Sequence, residues 1–269
     1  MADTVAILGA GKMGEALLAG LLRSGYDPSE VVFVERYDER AEVVAKQYGV
    51  ARHDLAGAVE RATTLLVAVK PTETTQLLDD VTALGAVDKL VISIVAGLSC
   101  ATLESHLPAG TPVVRVMPNT PALVNEGMSA VAAGTNAGEG HLMRAEALLE
   151  PVGKVIRVEE EQLDAVTAVS GSGPAYFFYV VEAMVDAGEA LGLDREVALQ
   201  LAVQTVLGAA LMMRDSGDDP TKLRQNVTSP NGTTAAAIRT FDEHAVREAI
   251  AAGLRAAHGR SRELADELT

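Results

Sequence analysis

Apolar and polar positions along this chain follow one rhythm up to about Glu160 and another beyond it. In the first part, "TVAIL" (4–8), "VVFVE" (31–35), "TLLVAVK" (64–70), "KLVISIVA" (89–96) and "PVVRVMP" (112–118) are short, β-branched and uninterrupted. Such runs predict strands buried on both faces. Between them, "EALLAGLLRSG", "ERAEVVAKQYG", "ETTQLLDDVTAL" and "SCATLESHL" set apolar residues three and four apart, which predicts helices. Gly49 is the expected stop of the second helix. "MSAVAAG" and "GKVIRVE" add two short strand-like runs. Strand and helix in alternation predict an α/β N-terminal Rossmann domain, with a mainly parallel sheet joined by right-handed crossovers.

After Glu160 the strand signal stops. "EEQLDAVTAVSGSGPAYFFYVVEAMVDAGEALGL", "DREVALQLAVQTVLGAALMMRDSG" and "HAVREAIAAGLRAAHGRSRELADEL" are helical over long stretches. The change of pattern predicts two domains, 1–158 and 159–269, the second all-α, with neither a flexible tether nor an internal repeat. Within it, Ser172 before Pro174 makes a good helix start. The body of that helix, Ala175 to Met184, is apolar nearly all round and must be covered on every side. A helical domain of this size has difficulty supplying that cover alone, so a subunit interface is expected. The competing reading is the central helix of a monomeric bundle.

Composition narrows the picture. The 269 residues are 48% hydrophobic, enough to bury the core of one large domain or two. The formal net charge of −15 offers no global basic footprint to nucleic acid and would be repelled by an anionic bilayer. Lys is scarce, 6 against 16 Arg, and an acid-rich, Lys-poor surface suits a high-salt cytoplasm. The one cysteine, Cys100, excludes an intramolecular disulfide and a Cys-only metal site. Its apolar and small neighbours predict an inert, half-buried thiol. The five histidines are scattered without ligand spacing, so no metal is expected. Met1 leads directly into a polar strand start without a signal peptide, and no apolar run reaches the ~18 residues of a membrane span. A soluble cytoplasmic protein with no nucleic-acid or membrane partner is expected.

Candidate chemistry begins where the first strand ends, at Leu8. Gly9-Ala10-Gly11-Lys12-Met13-Gly14 is GxGxxG, placed after a strand and at the opening of a helix, the context that the motif requires. Gly9 permits the tight turn, Gly11 lets a pyrophosphate approach, and Gly14 lets helix and strand pack closely. The Lys12 and Met13 amides would face the phosphates. Glu35, about 20 residues on, stands where an acid holds a ribose 2′-hydroxyl and favours NADH. Arg36 follows at once and can accept a 2′-phosphate, which favours NADPH. The two point opposite ways, and either cofactor is expected to bind. Ala68, Val69, Lys70 and Pro71, with Val95, Ala96 and Gly97, lie at the carboxyl ends of later strands and should flank the ribose and nicotinamide. Finally "TSPNGTT" (228–234) sets four hydroxyls on a turn ahead of an Ala-rich helix. An elaborate helix cap and an anion site compete as readings of it.

GAGKMG, AVKP, MPNTP (117–121), SGSGPAY (170–176) and TSPNGTT, in that order, resemble the pyrroline-5-carboxylate reductase family over nearly the whole chain. The resemblance implies reduction of a small-molecule substrate, the cyclic imine 1-pyrroline-5-carboxylate, to L-proline with NADPH or NADH. It implies a homo-oligomer, dimers interlocked through the helical domain and often assembled to decamers. The active site would lie between the nucleotide domain of one subunit and helical residues of its partner. By position, Ser229, Gly232, Thr233 and Thr234 match the substrate loop. Asn226 matches a position beside it and Asn119 one near the nicotinamide. Thr234 is the candidate for hydrogen bonding to the ring nitrogen. Two positions depart from the family's pattern. Asn231 replaces the first glycine of SPGG, a change that Asn's tolerance of left-handed backbone accommodates. Asp54 stands near where many members place an Asn at the adenosine ribose, and with Glu35 it tilts the balance towards NADH. The rival readings are another imine or β-hydroxyacid reductase of similar architecture and a non-catalytic nucleotide-binding protein. The hydroxyacid enzymes place a catalytic Lys on the interdomain helix, and none stands between Ala175 and Gly192.

Overall fold

A computed structural model describes residues 3–86 and 88–268. Eight strands form one sheet: β1 (Val5–Leu8), β2 (Val31–Val34), β3 (Ala51–Arg52), β4 (Thr64–Val67), β5 (Leu90–Ser93), β6 (Val113–Met117), β7 (Gly127–Ala133) and β8 (Gly153–Arg157). Their spatial order is β3-β2-β1-β4-β5-β6-β7-β8, all parallel except the β6–β7 pair. The helices of this half are α1 (Lys12–Arg23), α2 (Asp38–Tyr48), α3 (Leu55–Arg61), α4 (Pro71–Ala83), α5 (Cys100–Ser105), α6 (Glu139–Leu149) and the short α7 (Leu163–Val166). This is the doubly wound sheet that the alternating runs predict.

The central strands β1 and β2 are apolar at every position because both of their faces are covered. Val5, Ile7 and Phe33 pack into the core on one face with Leu17 and Leu21 of α1. Ala6, Leu8 and Val32 pack into the core on the other with Leu78 and Val81 of α4. Each such aliphatic side chain contributes about 1.5–3 kcal/mol on burial, so the pleat alone divides one apolar run between two cores. Cys100, expected half-buried, is fully buried at 3% exposure.

The chain divides into two compact units, 3–172 with 257–268 and 173–256. The break falls later than the change of pattern at 158, because residues just beyond 158 pack onto the sheet. Leu163 packs with Ala130 and Ala132 of β7, and Glu160 accepts a hydrogen bond from the Cys100 amide. The chain also returns: Ser261 Oγ donates to Asp164 Oδ1 at 2.7 Å, and Leu268 packs on the second core.

The second unit is built from α8 (Gly173–Ala190), α9 (Arg195–Ser216), α10 (Pro220–Asn226), α11 (Thr233–Glu243) and the first part of α12 (Val246–Leu268). Its own core is small: Val185 of α8 against Ala198 and Ala202 of α9. Phe178 and Tyr179 are 64% and 74% exposed in the single chain, and Leu201 is 55% exposed. The absence of any membrane-length segment, expected from uninterrupted runs, needs correction. By length and composition α9 is apolar enough to cross a membrane. Gln200 and Gln204 break its apolar run but leave it apolar on average.

Candidate active site

The β1–α1 turn is shaped by what its glycines touch. Gly9 has φ +106°, and a Cβ there would lie 2.7 Å from the Ala68 carbonyl oxygen. At Gly14 a Cβ would lie 2.1 Å from the Gly9 oxygen. Gly11, the N-cap of α1, has no capping side chain and open space around it. The amides of the first turn, Lys12 and Met13, are therefore left without a side-chain cap. An uncapped helix start behind an open glycine turn is a cradle for a phosphate.

This turn opens on a cavity of about 560 Å³ at the carboxyl ends of β1, β2 and β4. Here the strand order reverses around β1, the place where an open parallel sheet binds its ligand. Leu8, Gly9, Gly11, Glu35, Arg36, Ala68, Val69 and Lys70 line it, so the sequence had singled out half of its wall. Pro71 follows as the first residue of α4. Glu35 does not dangle into the space. Its two carboxylate oxygens accept the Ala10 and Tyr37 amides, each at 3.0 Å. Arg36 pairs with Glu73 at 3.3 Å, and its guanidinium lies 5.9 Å from the centre of the Tyr37 ring. Arg40 donates through Nε to the Ala10 carbonyl at 2.9 Å and pairs with Glu15.

Other candidates lie elsewhere within this unit. Asp54 is the N-cap of α3, accepting the Gly57 amide at 2.8 Å, and does not line the cavity. Val95, Ala96 and Gly97 are also outside its wall, and at Gly97 a Cβ would meet Leu268 at 2.8 Å. Asn119 accepts the Met128 amide at 2.8 Å and donates to the Ser170 carbonyl and hydroxyl at 3.2 Å. It ties the loop after β6 to a turn of π-helix at Thr167–Gly171.

In the second unit, the opening of α11 is unlike an ordinary helix cap. The N-cap is Gly232, which has no side chain to offer. A Cβ there would lie 2.5 Å from Ser229 Oγ, so a larger residue would turn that hydroxyl out of its place. Asn231 takes the left-handed conformation, φ +57°, as its tolerance of that region allows. Thr228 bonds back to the Arg224 carbonyl at 2.6 Å. The loop therefore places Ser229, Thr233 and Thr234 around an uncapped helix start, and Asn226 closes α10 just before it.

Sequence reasoning missed Val34, Tyr37, Arg40, Thr72, Glu73, Gln76, Leu77 and Asp80 of the cavity wall. A signal existed. Arg40 is in the first turn of α2 and Glu73 in the first turn of α4, the two helices that start at the cavity's rim. Among the described residues no cluster of His, Cys, Asp and Glu could hold a metal ion.

A doubly wound sheet with a glycine cradle at its switch point, followed by a helical unit, defines an NAD(P)H-dependent oxidoreductase. Residues 4–97 match a family model described as "NADP oxidoreductase coenzyme F420-dependent". Residues 160–264 match "Pyrroline-5-carboxylate reductase dimerisation". A pyrroline-5-carboxylate reductase of Mycobacterium tuberculosis is 45% identical, over 97% of this chain and 96% of that one. A solved pyrroline-5-carboxylate reductase of Coxiella burnetii superposes with a TM-score of 0.93 at 34% identity, over 98% and 99% of the two chains. A Plasmodium falciparum pyrroline carboxylate reductase, solved with NADP bound, gives 0.86 at 26% identity over 98% of each. The chain belongs to the pyrroline-5-carboxylate reductase family, and it is a homo-oligomer.

Proposed function

We propose that this chain reduces 1-pyrroline-5-carboxylate to L-proline, the last step of proline biosynthesis, with Thr234 as the residue that meets the ring nitrogen. The observation that carries the residue assignment is the α11 start, a glycine-capped helix end ringed by hydroxyls. Its free amides and positive helix end suit the substrate carboxylate without a buried Lys or Arg. Ser229, Gly232 and Thr233 hold that carboxylate, with Asn226 beside them. Thr234 places its hydroxyl within hydrogen-bonding reach of the ring nitrogen. Gly9 to Gly14 hold the pyrophosphate, Glu35 and Arg36 attend the adenosine ribose, and Ala68 to Pro71 wall the cavity. Val95 to Gly97 flank the ribose and nicotinamide, and Asn119, held by Ser170 and Met128, lies near the nicotinamide. The reduced nicotinamide, when bound, supplies the hydride that the imine carbon gains. The nitrogen's proton needs no carboxylic acid or histidine, since an imine of this basicity is protonated from solvent, and positioning supplies much of the rate.

The helical unit joins two subunits into an interlocked dimer, the element from which larger rings such as decamers are made. The enzyme works as a soluble cytoplasmic protein without nucleic-acid or membrane partners, its acidic surface suited to salt. The test follows nicotinamide absorbance with pyrroline-5-carboxylate and either NADH or NADPH, at low and molar salt. Oxidation of either is expected. Oxidation of neither, with nucleotide still bound, would move the substrate to another imine.

A further inference from the structure

We propose that Glu73 sets the nucleotide preference of this chain, by holding Arg36 away from the phosphate that distinguishes NADPH from NADH, so that NADH is favoured. The inference rests on the cavity being the dinucleotide site. The two nucleotides differ only in a 2′-phosphate, which adds a charge of about −1.5 to −2 at neutral pH. Discrimination is therefore decided by the charged groups of this wall, which are Glu35, Arg36, Arg40, Lys70, Glu73 and Asp80.

Glu35 is fixed. Rotating it away would strip two backbone amides of their acceptor, so its negative charge stays. Of the cations, Arg40 is committed to the Ala10 carbonyl and Glu15. Lys70 forms no ion pair among the described residues and attracts any phosphate. Arg36 is the arginine with freedom: its side chain is 76% exposed, and its ion-pair partner is Glu73, reaching from the first turn of α4. Glu73 therefore competes with a 2′-phosphate for the one guanidinium that can turn to it. The pair is exposed and weak, so the preference is graded rather than absolute.

The test measures dissociation constants for NADH and NADPH by nicotinamide fluorescence on the full chain, which has no Trp to interfere. The variants are Glu73→Gln, Glu73→Ser, Arg36→Met and the Glu73→Gln/Arg36→Met double. The natural chain is expected to bind NADH more tightly. Either Glu73 variant is expected to shift the ratio of the two constants towards NADPH by about fivefold, within the range of weak exposed pairs. In the Arg36→Met background the shift should vanish. An unchanged ratio in both Glu73 variants, or a shift that persists without Arg36, would overturn the proposal. So would tighter NADPH binding by the natural chain. If the natural chain binds neither nucleotide, the cavity assignment itself fails, a distinct result that removes this inference with it.

Discussion

Single residues show how differently the same side-chain type is used. Thr228 spends its hydroxyl on a helix carbonyl, whereas Thr234 sits beside an uncapped helix start. Thr234→Ala should therefore lose most turnover while the melting curve and nucleotide binding stay close to those of the natural chain. Near-normal turnover would remove the assigned role. Cys100 makes the opposite case. Burial first, and the Glu160 carboxylate second, push its thiol up to about 12. The thiol is thus neutral at any pH below that value, and the nucleophilic thiolate is scarce. An alkylating reagent at pH 8 should leave Cys100 unmodified in the folded chain and modify it readily in denaturant. Rapid labelling of the folded chain would contradict this burial.

At the scale of elements, helix ends decide more than helix bodies. Asp54 and Gly232 both stand at N-caps, yet one fills the cap and the other leaves it open. Replacing Asp54 by Ala should cost about 1 kcal/mol, lowering the melting midpoint by roughly 2–4 °C. Asp54→Ser, which can still cap, should recover most of that. An unaffected melting curve for Asp54→Ala would return the residue to the ribose. The strands and the first helices were legible because each carries one strong period. α3 and α6 were not picked out, since Leu55–Arg61 is too short for a period and Glu139–Leu149 begins without a capping side chain. β3, two residues long, carries no pattern of its own.

At the scale of the whole molecule, the uneven distribution of apolar surface is the dominant fact. The sheet unit buries most of its large apolar side chains, while α8 and α9 expose Phe178, Tyr179 and Leu201 in the single chain. Phe178→Asp should weaken the homo-oligomer, because a charge placed in an apolar contact loses its hydration without a partner. Light scattering should then record a smaller species. An unchanged mass would place the subunit contact on another face.

The sequence by itself determined the doubly wound sheet, the nucleotide turn, the hydroxyl loop and the need for cover over α8. Each of these is written in local periodicity or in residues adjacent along the chain, so the information is present before folding. It could not decide between Glu35 and Arg36, because that choice depends on partners 25 and 37 residues away, Ala10 and Glu73. It also said nothing of the hydrogen bonds that fix Asp54 to Gly57 and Asn119 to Ser170 and Met128. The return of 257–268 to the sheet unit was also hidden, since an amphipathic period says that a face is buried and not what buries it. Only the tertiary structure brings distant carboxylates, guanidinium groups and amides within 3 Å or so, the range in which hydrogen bonds form.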